Sequence, residues 1–125
     1  MDELVVWLSA QLDEDERIAR ACSGNGEWEA EHIAIYGPDL GVEVRAHMAA
    51  HDPARVLREI DAKRRLLSEH TPQTPKVRPG MERHCLSCTT AQSWDEAAGQ
   101  SNCLTLRLLA LPYADRPGYR KEWRP

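Results

Sequence analysis

The chain has 125 residues, of which 42% are hydrophobic and 29% charged, with four Trp, three Tyr and no Phe. That length suits a single domain over residues 1–125 with a modest core, and the composition is that of a soluble globular protein. No apolar run approaches the roughly 20 residues needed to span a bilayer, and the Asp2-Glu3 opening is unlike a secretory signal, so the expected compartment is the cytoplasm, with no membrane association.

The net charge of −4 conceals two opposed halves. Residues 1–50 carry three Arg against eleven acidic side chains, net −8, whereas residues 51–125 carry thirteen Lys and Arg against nine acids, net +4. An acidic helix packed beside a basic one accounts for this, as do two faces with different partners.

In chain order, Leu4, Leu8, Leu12, Ile18 and Cys22 predict an amphipathic first helix, with Asp2 as a possible N-cap and Glu16 paired to Arg20. Ser23-Gly24-Asn25-Gly26 ends it. Between Glu27 and Tyr36 the alternation of Trp28, Ala30, His32, Ala34 and Tyr36, then the turn Gly37-Pro38-Asp39 and Val42 and Val44, predicts a short β-hairpin.

Asp52-Pro53 is a strong helix start, since the Asp side chain caps free amides and Pro presets the first helical φ. The central helix expected there carries Val56, Leu57, Ile60 and Leu67 on its apolar stripe and ends near His70. A proline-rich loop of about residues 71–82 follows, and Leu104 to Leu111 predict a last buried helix stopped or kinked at Pro112. The expected fold is α+β and mostly α: an N-terminal helix, a hairpin, a central helix, a zinc knuckle, and a C-terminal helix with its tail.

The knuckle is Cys85-Leu-Ser-Cys88, followed after fourteen residues by Cys103. A Cys-x-x-Cys turn lets two thiolates converge on one Zn²⁺ at about 2.3 Å, and a reducing compartment disfavours the disulfide alternative. A redox dithiol would want a strand-to-helix junction, whereas this pair follows a proline-rich loop. For the fourth ligand His70 leads, at the end of the central helix; His84 adjoins Cys85, and His47 and His51 form a His-x-x-x-His pair, so they stay as alternatives. Cys22 reads as a small buried hydrophobe.

The stretch from His47 through Asp52-Pro-Ala-Arg-Val-Leu-Arg-Glu to Arg65, the pre-loop His70, and the ending Leu106-Arg-Leu-Leu-Ala-Leu-Pro-Tyr-Ala-Asp-Arg-Pro-Gly-Tyr-Arg-Lys-Glu-Trp123 closely resemble an uncharacterised family of small proteins from actinobacteria and their phages. The resemblance covers most of the chain, implies a histidine ligand at His70, and implies an accessory role without assigning an activity.

An enzyme is not expected, because His47-Met-Ala-Ala-His51 lacks the Glu of the metalloprotease helix, and no His-x-Glu precedes the Cys-x-x-Cys as in the zinc deaminases. Asp95 and Glu96 lie close in sequence and could serve a zinc-dependent hydrolase, a secondary alternative, although a charged turn after a zinc knuckle is usually just solvated. The expected function is a zinc-stabilised binding or regulatory protein with a protein partner, Tyr119 and Trp123 being the candidate contact residues. The alternative is nucleic-acid binding through Arg55, Arg58 and Arg65 of the central helix, opposed by Glu59, Asp61 and Glu69 on the same helix.

Overall fold

The computed structural model describes residues 2–22, 24–73, 85–88, 94–95, 100–101 and 103–125. Among them are five α-helices: α1 Asp2–Ala21, α2 Ala30–Tyr36, α3 Val42–Ala50, α4 Pro53–His70 and α5 Leu104–Ala110. Single 3₁₀ turns occupy Leu86–Cys88, Leu111–Tyr113 and Lys121–Trp123. None of these helices is long and apolar enough to cross a membrane.

The α+β expectation is overturned. The segment read as a hairpin is the helix pair α2 and α3, joined by the turn at Gly37 to Leu40, where the Leu40 amide donates to the Gly37 carbonyl at 3.1 Å. The alternation of Trp28, Ala30, His32, Ala34 and Tyr36 coexists with Ala30, Ala34, Ala46, Ala49 and Ala50, whose helix propensity is the highest of any residue. A stretch of seven residues is too short for period to outweigh that preference. The extended backbone that does occur is a pair of two-residue strands, β1 Trp94–Asp95 and β2 Gln100–Ser101, antiparallel with Trp94 opposite Ser101, too small to form a layer of the fold.

Backbone contacts divide the chain into two compact units, Met1–Gln11 with Lys63–Pro125, and Leu12–Ala62, so that α1 and α4 each contribute to both. In the first unit Leu4, Leu8, Leu67, Leu106 and Ala110 are buried. The tail closes on this core through aromatic rings: Trp7 meets Tyr119 at 5.6 Å and Trp123 at 5.4 Å, and Tyr119 meets Trp123 edge-on at 5.8 Å. Trp7 Nε1 donates to the Pro117 carbonyl at 3.0 Å, and Arg120 forms an ion pair with Glu3. The chain passes Trp7 at Gly118, whose φ is +86° and where a Cβ would lie 2.9 Å from Trp7 Nε1, so only glycine fits this approach without displacing the indole.

In the second unit Leu12, Ala19, Ile33 and Ile60 form a smaller buried set. Asp52 organises it. Its Oδ1 accepts the Arg55 amide at 2.8 Å, capping α4, and its Oδ2 accepts the Trp28 amide at 3.1 Å, fastening the loop before α2 to the start of α4. Gly26 completes this junction: its carbonyl accepts the Ala54 amide at 2.9 Å, and its φ of +79° is one that L side chains rarely adopt. The two amides hold the Asp52 carboxyl below its ordinary range.

Candidate metal centre

Within the first unit, four side chains from three segments converge. His70 is the last residue of α4, Cys85 immediately precedes the 3₁₀ turn that Cys88 ends, and Cys103 immediately precedes α5. Their ligand atoms all lie within 4.8 Å of one another, with Cys85 and Cys103 buried and His70 and Cys88 half-buried. His70 Nδ1 is 3.4 Å from Cys85 Sγ, 3.2 Å from Cys88 Sγ and 3.6 Å from Cys103 Sγ, while Cys103 Sγ is 3.9 Å from Cys88 Sγ.

These separations have a simple geometric meaning. Tetrahedral bonds of about 2.3 Å to sulfur and 2.0–2.1 Å to nitrogen set the sulfurs about 3.8 Å apart and each sulfur about 3.5 Å from the nitrogen. The observed edges are close to those values, so the four atoms have the size of a cage for one ion. A disulfide would hold its sulfurs at about 2.05 Å, and a multinuclear iron–sulfur cluster would spread its thiolates much further apart.

The local backbone is shaped to hold this arrangement. Ser87 Oγ donates to the Glu69 carbonyl at 2.8 Å and Thr71 Oγ1 to the Leu67 carbonyl at 2.7 Å, so two of the free carbonyls at the end of α4 are satisfied and the Cys-x-x-Cys turn is tied to the helix bearing His70. The Cys88 amide points at Cys85 Sγ and the Leu106 amide at Cys103 Sγ, each favouring the thiolate. Burial nevertheless dominates: it pushes the Cys85 thiol up and the Cys103 thiol to about 12. Two buried sulfurs that resist ionisation by themselves, each already supplied with an amide donor suited to a thiolate, make a donor set that a cation would complete.

The other sequence candidates lie elsewhere. Cys22 belongs to the second unit, half-buried with its Sγ 3.5 Å from the Ile18 carbonyl. His47 and His51 are exposed and stack on each other with centroids 4.3 Å apart, also in the second unit. His84 and Glu96 lie outside the described residues, and Asp95 pairs with Gln100 in the short ladder.

Among the arginines of α4, Arg55 is engaged twice, by Glu59 at 2.8 Å and by the Ala50 carbonyl at 2.9 Å. Arg58 acts electrostatically on the Asp52 carboxylate, and Arg65 is exposed further along the helix. Tyr119 and Trp123, expected as exposed partner contacts, are instead components of the aromatic cluster with Trp7; Trp123 is only 7% exposed. Their separation from Trp7 by more than a hundred residues left no sequence signal for that packing. Sequence reasoning also passed over Ser87, whose position inside the Cys-x-x-Cys turn was the available clue.

No curated protein and no solved structure is similar enough to match the chain. A family model does match it, over residues 1–125, and its description is a family of unknown function, DUF6221. The chain therefore belongs to that family, and the meeting of His70 with Cys85, Cys88 and Cys103 is the chemistry it presents for a function to be argued from.

Proposed function

We propose that the protein is a non-catalytic binding module stabilised by one Zn²⁺ held by His70, Cys85, Cys88 and Cys103. The observation that carries this reading is the three nitrogen–sulfur separations and the Cys88–Cys103 sulfur separation, which are close to the edges of a zinc tetrahedron. Three cysteines and one histidine are a ligand set of structural zinc sites. With all four positions taken by side chains, none is left for the water that a zinc hydrolase activates, which supports a structural role over a catalytic one. Thiolate ligands also suit a reducing compartment, in agreement with a cytoplasmic setting.

What the metal stabilises is the first unit, because its ligands join the end of α4, the Cys-x-x-Cys turn and the start of α5. A small accessory factor that presents a surface to a protein partner, as in the actinobacterial and phage setting of the resembled family, is the function that fits a protein with a metal staple and no open metal position. Protein purified without chelator is expected to contain about one zinc per chain. His70→Ala and Cys88→Ser are expected to lower zinc content and thermal stability together, and Cys22→Ser to leave both in place. A metal-free protein that is folded and equally stable would overturn the reading.

A further inference from the structure

The second unit presents a surface that its own core does not use. Helix α3 has no buried residue along its nine positions, although it begins Val42-Glu-Val44. In α2 only Ile33 is buried, while Ile35 is 74% and Tyr36 91% exposed, and Val42 beyond the turn is 68% exposed. Beside them a cleft of about 530 Å³ is lined by Trp28, Ile33, Ile35, Tyr36 and Met48. Large aliphatic and aromatic side chains gathered in this way mark an interaction site more often than an idle surface.

Charge identifies what fits there. Residues 12–62 hold twelve acidic side chains against five arginines and no lysine, a formal charge of −7. Arg17, Arg20 and Arg55 are already paired with Glu14, Glu16 and Glu59. Glu31 on α2, Asp39 in the turn and Glu43 on α3, which border the apolar residues in sequence, have no cation partner among the described residues. The cleft has Glu27 in its lining and belongs to a unit of net −7, a charge that disfavours phosphate backbones, anionic lipid and a second copy of itself.

We infer that the α2–α3 pair is a docking surface for a lysine- or arginine-rich amphipathic segment of a partner protein. Apolar anchors at i, i+3 and i+4 of such a helix enter the cleft beside Trp28 and Tyr36, and its flanking cations face Glu31, Asp39 and Glu43. This deepens the binding-module reading by giving the partner a chemistry, and it places recognition in the unit that does not contain the metal ligands.

The test uses the full-length, zinc-loaded protein and a fluorescent model helix of about 18 residues built from Lys and Leu at helical spacing, with a Glu and Leu counterpart as control. Saturable binding of the Lys peptide is expected, weakened at least about 10-fold by the double change Ile35→Ser with Tyr36→Ser, and also by Glu31→Lys with Glu43→Lys. Binding should fall as salt rises from about 50 mM to about 500 mM. Circular dichroism and zinc content of each variant should equal those of the parent, since the substituted side chains are exposed. No binding of the Lys peptide, equal binding of the Glu peptide, or binding indifferent to both variants would overturn the inference. So would preferential binding to anionic vesicles or duplex DNA, or self-association abolished by the Ile35 and Tyr36 changes. Peptide binding by a protein that proves to hold no zinc would leave the docking surface standing and remove only the metal reading, so the two failures are distinguishable.

Discussion

The two units show two ways for one short chain to offset the conformational entropy of ordering it. The first unit draws its parts from sequence positions a hundred residues apart and closes them with devices that act over distance: four potential metal ligands, a three-ring aromatic cluster, and a tail threaded past Trp7 at a glycine. The second unit is a single stretch of sequence and relies on local devices, chiefly the Asp52 cap and the Gly26 turn. Within it α3 buries none of its residues. Long-range closure unites side chains far apart in sequence, whereas local closure joins segments that follow one another along the chain.

Removing the metal is the strongest way to break this comparison. Chelation is expected to lower the melting temperature on the order of 10 °C or more, with amide exchange accelerating at α5 and at the His70 end of α4 while α2 and α3 change little. Uniform loss of protection along the chain would show that both units melt as one, and the comparison would fail.

Trp123→Ala follows in size. Removal of a nearly buried indole from its contacts with Trp7 and Tyr119 is expected to cost about 3–5 kcal/mol in denaturant unfolding, with zinc content retained. A cost below about 1 kcal/mol would mean that the tail does not close the first unit in solution.

Gly26→Ala probes the second unit. An added Cβ meets the Ala54 amide nitrogen at 3.2 Å and Pro53 Cβ at 3.3 Å, on a backbone with φ +79°. A loss of about 1–3 kcal/mol is expected from strain and crowding together, and a neutral result would show that the junction with α4 adapts easily.

Asp52→Ala should have the smallest effect, a fall in melting temperature on the order of 5 °C near neutral pH through loss of two hydrogen-bonded amides. Its pH dependence carries a sign. The folded carboxyl is held below its ordinary 3.8, so its contribution is fully present above that value and is lost as pH falls through the depressed one. The gap between parent and variant should therefore close in acid, and a gap that widens there would reverse the assigned cause.

Several parts of this molecule were legible without coordinates, each for a local reason. Asp52-Pro53 announces α4 because capping and φ restriction act within one turn. Leu4, Leu8 and Leu12 mark the buried stripe of α1 because they recur at helical period, whereas Ile18, expected on the same stripe, is 50% exposed. Cys85 and Cys88 meet because only three peptide units separate them across a turn, and the 14-residue spacings merely allowed Cys103 and His70 to join them.

What only the tertiary structure decided is where local preferences conflicted or said nothing. Residues 27–44 carry both strand alternation and alanine-rich helix propensity, and they form α2 and α3, since short segments take the conformation that packing rewards. The fate of Tyr119 and Trp123 depended on Trp7, more than a hundred positions away, and an aromatic ring in a polar tail looks the same in sequence whether it faces solvent or a core. Sequence alone therefore determined the start of α4 and the pairing of Cys85 with Cys88, because those forces act between near neighbours along the chain. Burial is a property of all the neighbours a residue acquires in space, and so the structure had to decide which apolar side chains close the core and which are left outside it.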